Sequence, residues 1–163
     1  MVRQHRVNTF RLVLVLLGLS TLWSIPGAIS QEKKAESLYK RLGGYDAIAA
    51  VIDDFVPRLA KDPQLGKFFA GHSMDSKKRL RQHVVDQICE ATGGPCVYTG
   101  RPLKVAHSGL GITESDWQVA VGHLVTTLDK FSVPKQEQSE LLAILTSVKP
   151  DIVAPAAVPA EKK

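Results

Sequence analysis

Apolar positions recur at helical spacing through most of the chain, and no stretch alternates as a strand would. After a polar lead-in over residues 31–35, Ser37-Leu38-Tyr39-Lys40-Arg41-Leu42 predicts a short helix stopped by Gly43-Gly44. Ile48, Ile52, Phe55 and Leu59, with Val51 and Val56 beside them, predict a second helix over 45–60. Pro57 falls inside it, where it removes one backbone hydrogen bond and bends the axis. Asp62-Pro63 breaks the chain, Leu65, Phe68 and Phe69 form an apolar cluster on a short segment, and 70–75 reads as a loop. Leu80, Val84, Ile88 and Ala91 predict a helix over 76–91, with His83 and Gln87 on the edge of its stripe. Gly93-Gly94-Pro95 ends that helix, and 96–101 is a loop carrying Tyr98, read as a buried tyrosine. The short approach Lys104-Val105-Ala106-His107 is then broken by Gly109 and Gly111. Thr113 with Asp116 three residues on is a variant capping box, opening a helix with the stripe Trp117, Val121, Leu124, Leu128 and Phe131. Pro134 takes the first position of a last helix, whose Leu141, Leu145 and Val148 face inward. Residues 154–163, rich in proline and alanine, show no periodicity and predict a disordered tail. The pattern as a whole predicts one all-α domain over 36–153.

The first thirty residues stand apart from that pattern. Arg3, Arg6 and Arg11 precede a largely apolar run over 12–25, closed by Pro26-Gly27 and then Ala28-Ile29-Ser30, whose Ala28 and Ser30 are small residues at the two positions that signal cleavage reads. This is the layout of a secretory signal peptide cleaved after Ser30. The run is short against the roughly 20 apolar residues of a spanning helix, so an uncleaved membrane anchor is the alternative. Export predicts a periplasmic location. The full chain has 21 basic and 16 acidic side chains; without the leader's three arginines the excess is two. The high pI therefore belongs largely to the leader, and overall charge gives no basis for nucleic-acid binding. The remaining basic run, Lys77, Lys78, Arg79 and Arg81, reads first as a solvated helix face. It could instead neutralise acid groups of a cofactor at a pocket mouth. Nucleic acid comes last, because no aromatic residues are interleaved.

Candidate chemistry centres on His107. A histidine at the end of a short helical segment, released by two glycines, can present one ring nitrogen inward. Three fates are open to it: satisfied core residue, metal ligand, or axial ligand of a haem iron. His83 offers a second inward imidazole, and Phe68 and Phe69 either plug the core or clamp a flat aromatic ligand. Cys89 and Cys96 could close a small disulfide loop in an oxidising compartment or remain free thiols. A zinc site would need Cys-x-x-Cys or His-x3-His spacing, which the chain lacks. There is no phosphate-binding glycine loop, Gly-x-Ser-x-Gly elbow, His-Glu-x-x-His pair or internal repeat.

Four motifs in order over residues 38–153 resemble the group I truncated haemoglobins, small two-over-two helical globins. They are Leu38-Tyr39-x-x-Leu42-Gly43-Gly44, Asp62-Pro63-x-Leu65-x-x-Phe68-Phe69-Ala70-Gly71, Gly93-Gly94-Pro95-x-x-Tyr98-Thr99-Gly100-Arg101 and Ala106-His107-x-Gly109-Leu110-Gly111-Ile112-Thr113. The resemblance implies a two-over-two sandwich around haem b. It implies His107 as proximal iron ligand, its other ring nitrogen held by a backbone carbonyl or hydroxyl. By the same resemblance Phe69 packs on the haem face, Tyr98 lies by the propionates, and His83 is a candidate distal ligand. Where many members place a tyrosine and a glutamine to bond oxygen, this chain has Val56 and Val84, with Leu80 one turn earlier. Those residues make an apolar distal wall in which only His83 or Gln87 could donate.

The expected ligands are oxygen, nitric oxide or carbon monoxide. The expected function is reversible gas binding, with His83 competing for the sixth site. The alternatives are a periplasmic electron-transfer protein with an unknown redox partner, or a nitric oxide dioxygenase or peroxidase. A peroxidase needs a distal acid/base, for which His83 is the one evident residue. A helical module without cofactor is the least expected outcome.

Overall fold

The computed structural model describes residues 36–154, and the leader and the tail beyond 154 lie outside them. Among the described residues there are six α-helices and no strand. They are α1 (Leu38–Arg41), α2 (Gly44–Lys61), α3 (Met74–Ala91), α4 (Leu103–His107), α5 (Glu114–Lys130) and α6 (Lys135–Val148). Single 3-10 turns at Gly66–Phe69 and Lys149–Asp151 complete the chain.

Helix α2 lies between two apolar clusters, and its sequence explains why. Ile48, Ala49 and Ile52 are buried against Val85 and Cys89 of α3. Val51 and Phe55 pack toward the second cluster, where Leu38 of α1 meets Leu124 and Leu128 of α5 and Leu141 of α6. Helix α2 thus serves both clusters, packing on α3 in the first and on α5 in the second. Leu128 and Val85 are each at most 1% exposed, and burying such a side chain is worth about 1.5–3 kcal/mol. A small apolar cavity between α2, α5 and α6 is walled by Ile48, Val51, Leu128 and Leu141; no candidate site residue lines it.

Polar anchors fix the segments that flank the core. Arg41 of α1 donates to Glu137 at 2.7 Å and also pairs with Glu140, tying the first turn to α6. At the start of α5 the capping box forms: Asp116 N donates to Thr113 Oγ1 at 3.2 Å, and Thr113 N donates to Asp116 Oδ2 at 2.9 Å. The other carboxylate oxygen of Asp116 accepts from Gln64 Nε2 at 2.8 Å. Asp62 accepts from the backbone N–H groups of Gln64 and Leu65 at 2.8 and 3.0 Å and from His123 Nε2 at 2.8 Å. Two carboxylates thus pin residues 62–65 to α5 and set where the Gly66–Phe69 turn begins. His123 is spent on that structural bond.

Several sequence expectations need correction. Helix α3 starts at Met74, two residues early, because Ser73 Oγ accepts from Ser76 N and caps it. Its fully buried seam is Val85 and Cys89; Leu80, Val84 and Ile88 are half-buried and Ala91 is exposed. The expected stripe is therefore rotated by one residue, which keeps Leu80, His83 and Val84 out of the deep core. Phe131 is 40% exposed at the C-terminal cap of α5, with the Lys130 ammonium over its ring. Pro134 caps α6 from outside its first turn. Tyr98 is half-buried. Helix α2 continues through an exposed Pro57 to Lys61.

Candidate functional site

Helix α4 has five residues and buries none of them fully. Pro102 caps it, its carbonyl accepting from the N–H groups of Val105 and Ala106, both at 2.9 Å. Beyond His107 the chain turns extended at Ser108, and Gly109 and Gly111 take positive φ of 78° and 64°. The far side is held by the segment after α6: Ala154 N donates to Ile112 O at 2.8 Å. This short piece places a half-buried imidazole at its end.

The ring of His107 has one nitrogen committed. Its Nδ1 lies 2.8 Å from the carbonyl oxygen of Leu103, one turn back. A carbonyl can only accept, so Nδ1 carries the proton and donates. The lone pair is then on Nε2, the orientation that a backbone-held metal-binding histidine requires. This matches the carbonyl partner that the resemblance implied.

His83 is arranged differently. It is half-buried on α3, and its Nδ1 is a buried polar atom without a hydrogen-bond partner among the described residues. Such an atom in a folded protein calls for an explanation, since leaving it unsatisfied costs about 1–3 kcal/mol. Its ring meets Tyr98 edge to face, with centroids 5.9 Å apart and planes at 75°. The Tyr98 hydroxyl donates to Arg101 O at 2.8 Å, so the phenol is tied to its own loop. Gly100 makes room for it, because a Cβ there would lie 2.3–2.6 Å from the Tyr98 ring and hydroxyl atoms.

The loop that carries Tyr98 is joined to α3 by a disulfide between Cys89 and Cys96, with Cα atoms 5.8 Å apart. The sequence left that pairing open, since spacing alone cannot test the geometry. Gly94 packs against the bridge: a Cβ there would lie 2.7 Å from Cys89 Sγ, 2.8 Å from Cys89 O and 2.6 Å from a Tyr39 ring carbon.

The structure thus brings His83 and Tyr98 together and sets Leu80, His83 and Val84 on one face of α3, since residues three and four apart are neighbours on a helix. Phe69 ends the 3-10 turn, half-buried. Gln87, also half-buried, stands one turn beyond His83. Of the basic run, Lys77, Lys78 and Arg79 are exposed, while Arg81 makes a two-pronged pair with Asp53, both contacts 2.8 Å.

Comparison with known proteins follows the same outline. The bacterial-like globin family matches residues 37–154. A group 1 truncated haemoglobin GlbN from Mycolicibacterium paratuberculosis is 37% identical over 126 residues, covering 76% of this chain and 90% of that protein. The 2/2 haemoglobin from Synechococcus sp. PCC 7002, solved in the cyanomet state with covalently attached haem, superposes with a TM-score of 0.65. It is 27% identical and covers 72% of this chain and 98% of its own. Truncated haemoglobin from Tetrahymena pyriformis in its Fe(III) form gives a TM-score of 0.68 at 22% identity, covering 74% of this chain and all of its own. On the matched family and these relatives, the chain belongs to the bacterial-like globins, among the group 1 truncated haemoglobins.

Proposed function

We propose that this protein binds haem b through His107 Nε2 and takes up a diatomic gas, oxygen or nitric oxide, with His83 competing for the sixth position. The observation that carries the reading is the His107 Nδ1–Leu103 O bond, which leaves the other imidazole nitrogen with its lone pair free. The donor set fits the cofactor: a second imidazole, His83, lacks a partner for a buried ring nitrogen, and a flat aromatic side chain, Phe69, is available to pack on a macrocycle. Haem, held by His107, would supply an iron able to bind a diatomic ligand.

The chain's own residues then set selectivity. Val56 and Val84 pack on the α2–α3 cluster as partly buried apolar groups, and Leu80, one turn before Val84, is half-buried. None can donate a hydrogen bond. A ligand that gains partial negative charge must draw on His83 or Gln87, and a donor to a charged group is worth about 1.5–3 kcal/mol. This wall favours ligands that need no donor. His83, if it held the iron, would slow gas entry, because the imidazole would first have to leave.

Export is part of the proposal. The leader pattern of residues 1–30 motivates it, and the Cys89–Cys96 bridge supports it, since structural disulfides persist in oxidising compartments. The test is haem titration of the mature protein. His107→Gly is expected to lose stoichiometric haem binding and to regain it with free imidazole. His83→Leu is expected to convert a six-coordinate ferrous spectrum to a five-coordinate one. Unimpaired haem retention by His107→Gly without imidazole would overturn the ligand assignment.

A further inference from the structure

We propose that Tyr98 is the positioning residue for His83 and that the Cys89–Cys96 disulfide sets where Tyr98 stands, making the distal histidine sensitive to thiol redox state. The inference rests on the reading above that His83 addresses the iron.

The coupling is a short run of contacts. Cys89 lies in α3 six residues beyond His83, is fully buried, and packs with Ile48, Ala49, Ile52 and Val85. Cys96 is two residues before Tyr98 and is packed on the same cluster from outside. The bridge therefore fixes the root of the Tyr98 loop to the helix that bears His83. From that root the chain reaches Tyr98, whose ring is clamped between Gly100 and the His83 edge and whose hydroxyl is tied to Arg101 O. On the described side chains the Tyr98 ring is the aromatic neighbour of His83. With His83 Nδ1 lacking a hydrogen-bond partner, no polar contact at that nitrogen holds the ring angle, and packing must do so.

Reduction has a defined route. Cys96 is half-buried whereas Cys89 has no exposure, so an incoming thiolate meets the Cys96 sulfur. A dithiol reductant attacks Cys96 Sγ, forming a mixed disulfide and expelling the Cys89 thiolate, which takes up a proton. The reductant's second thiol closes its own disulfide and releases Cys96 as a thiol. Two electrons and two protons pass from the dithiol to the protein. The covalent tie from Cys96 to α3 is then gone while the Gly94 N–Cys89 O bond stays, so the loop beyond Gly94 is loosened, the Tyr98 ring loses its fixed place, and His83 loses the wall that orients it.

The experiment uses the haem-loaded mature protein, oxidised or treated with dithiothreitol, with thiols counted by alkylation and mass. Carbon monoxide association is followed by flash photolysis of the ferrous protein. Histidine ring proton shifts are recorded by NMR in the diamagnetic carbon monoxide-saturated form, where His83 is off the iron and its shift reports Tyr98. Reduction is expected to change the association rate at least threefold and to move the His83 ring signals. Cys89→Ser/Cys96→Ser should reproduce both changes without reductant. Tyr98→Ala should shift the rate in the oxidised protein and make it insensitive to reduction, and Tyr98→Phe, which keeps the ring but not the Arg101 bond, should fall between. A fully reduced wild type with unchanged rate and unchanged His83 shifts would overturn the proposal. So would a reduction effect that persists in His83→Leu. If His83→Leu instead leaves the spectrum of the oxidised protein unaltered while reduction still moves the His83 ring signals of the wild type, the positioning of His83 by Tyr98 stands and the iron assignment falls.

Discussion

Substituting Gly94 by alanine tests whether the α3–loop junction is as tightly built as its distances imply. The added Cβ would stand 2.6 Å from Tyr39 Cδ2, 2.7 Å from Cys89 Sγ and 2.8 Å from Cys89 O. Carbon contacts settle near 3.5–4.0 Å, so each neighbour must retreat by about 1 Å. None retreats freely. Tyr39 donates its backbone N–H to Thr92 O at 2.8 Å and accepts from Tyr45 N through its hydroxyl at 3.1 Å. The sulfur is bridged, and the oxygen belongs to backbone and accepts from Gly94 N itself at 2.8 Å. Gly94 is not among the positive-φ glycines, so the penalty is steric alone. Overpacking of this kind costs about 1–3 kcal/mol, and with all three neighbours fixed the upper part of the range applies. Lower entropy of the unfolded alanine chain returns about 0.4–1 kcal/mol. The net is a loss of about 2 kcal/mol, a fall in Tm of roughly 6–10 °C for a domain of this size. Thermal unfolding followed by far-UV circular dichroism on the oxidised protein measures it. Gly122→Ala in α5 is the control: nothing lies within 4 Å of its Cβ, and helix propensity predicts a gain of up to about 1 kcal/mol. In the Cys89→Ser/Cys96→Ser background the Gly94→Ala penalty should shrink, because the sulfur can then move. A Gly94→Ala protein that melts at or above the wild-type temperature would refute the reasoning.

Two further predictions follow from the polar anchors. Thr113→Ala removes the hydroxyl that caps α5 and should lower stability by about 1 kcal/mol, read as a lower urea midpoint with unchanged slope; an unchanged midpoint would deny the capping box its role. Acid should destabilise the fold in a defined window. The Thr113 N–H, the Gln64 amide and the Thr113 hydroxyl hold the Asp116 carboxyl down to about 2 from 3.8, and Arg58 and then Lys130 do the same for Asp54. A depressed carboxylate stabilises the fold above its unfolded value and loses that contribution as pH falls toward its folded value. The urea midpoint should therefore drop between about pH 4 and pH 2, less steeply in Asp116→Asn, and a flat profile there would contradict both assignments.

Much of this architecture was legible because it is local. The period of Ile48 and Ile52, the Thr113–Asp116 pair and the Pro134 start each act within one helix, so a sequence window contains the whole cause. The His107 segment was legible for the same reason, since its ring partner, Leu103, is only four residues away. The rotated face of α3 was not. Val85 and Cys89 are deep because α2 and the disulfide-tied loop approach from that side, and Leu80 and Val84 are apolar without being deep. Apolar character alone cannot separate a residue facing the protein core from one facing a cofactor pocket. The role of Gly94 was hidden similarly, because its three neighbours come from α1 and α3.

The shortness of α4 has a consequence for how the cofactor and the fold depend on each other. Five residues make little more than one turn, well under the length at which a helix persists on its own propensity. No residue of α4 is fully buried, so its order is borrowed from Pro102 before it and from the C-terminal strap at Ile112 and Ala154 after it. Such a segment sits at the low end of local stability and opens before the α2–α3 core does. Coordination of His107 would hold α4 shut by mass action, and each opening of α4 would in turn give the cofactor its way out. With His107 as the ligand, the rate of haem escape would measure fraying of this one turn, and the strap at Ile112 and Ala154 would govern cofactor retention.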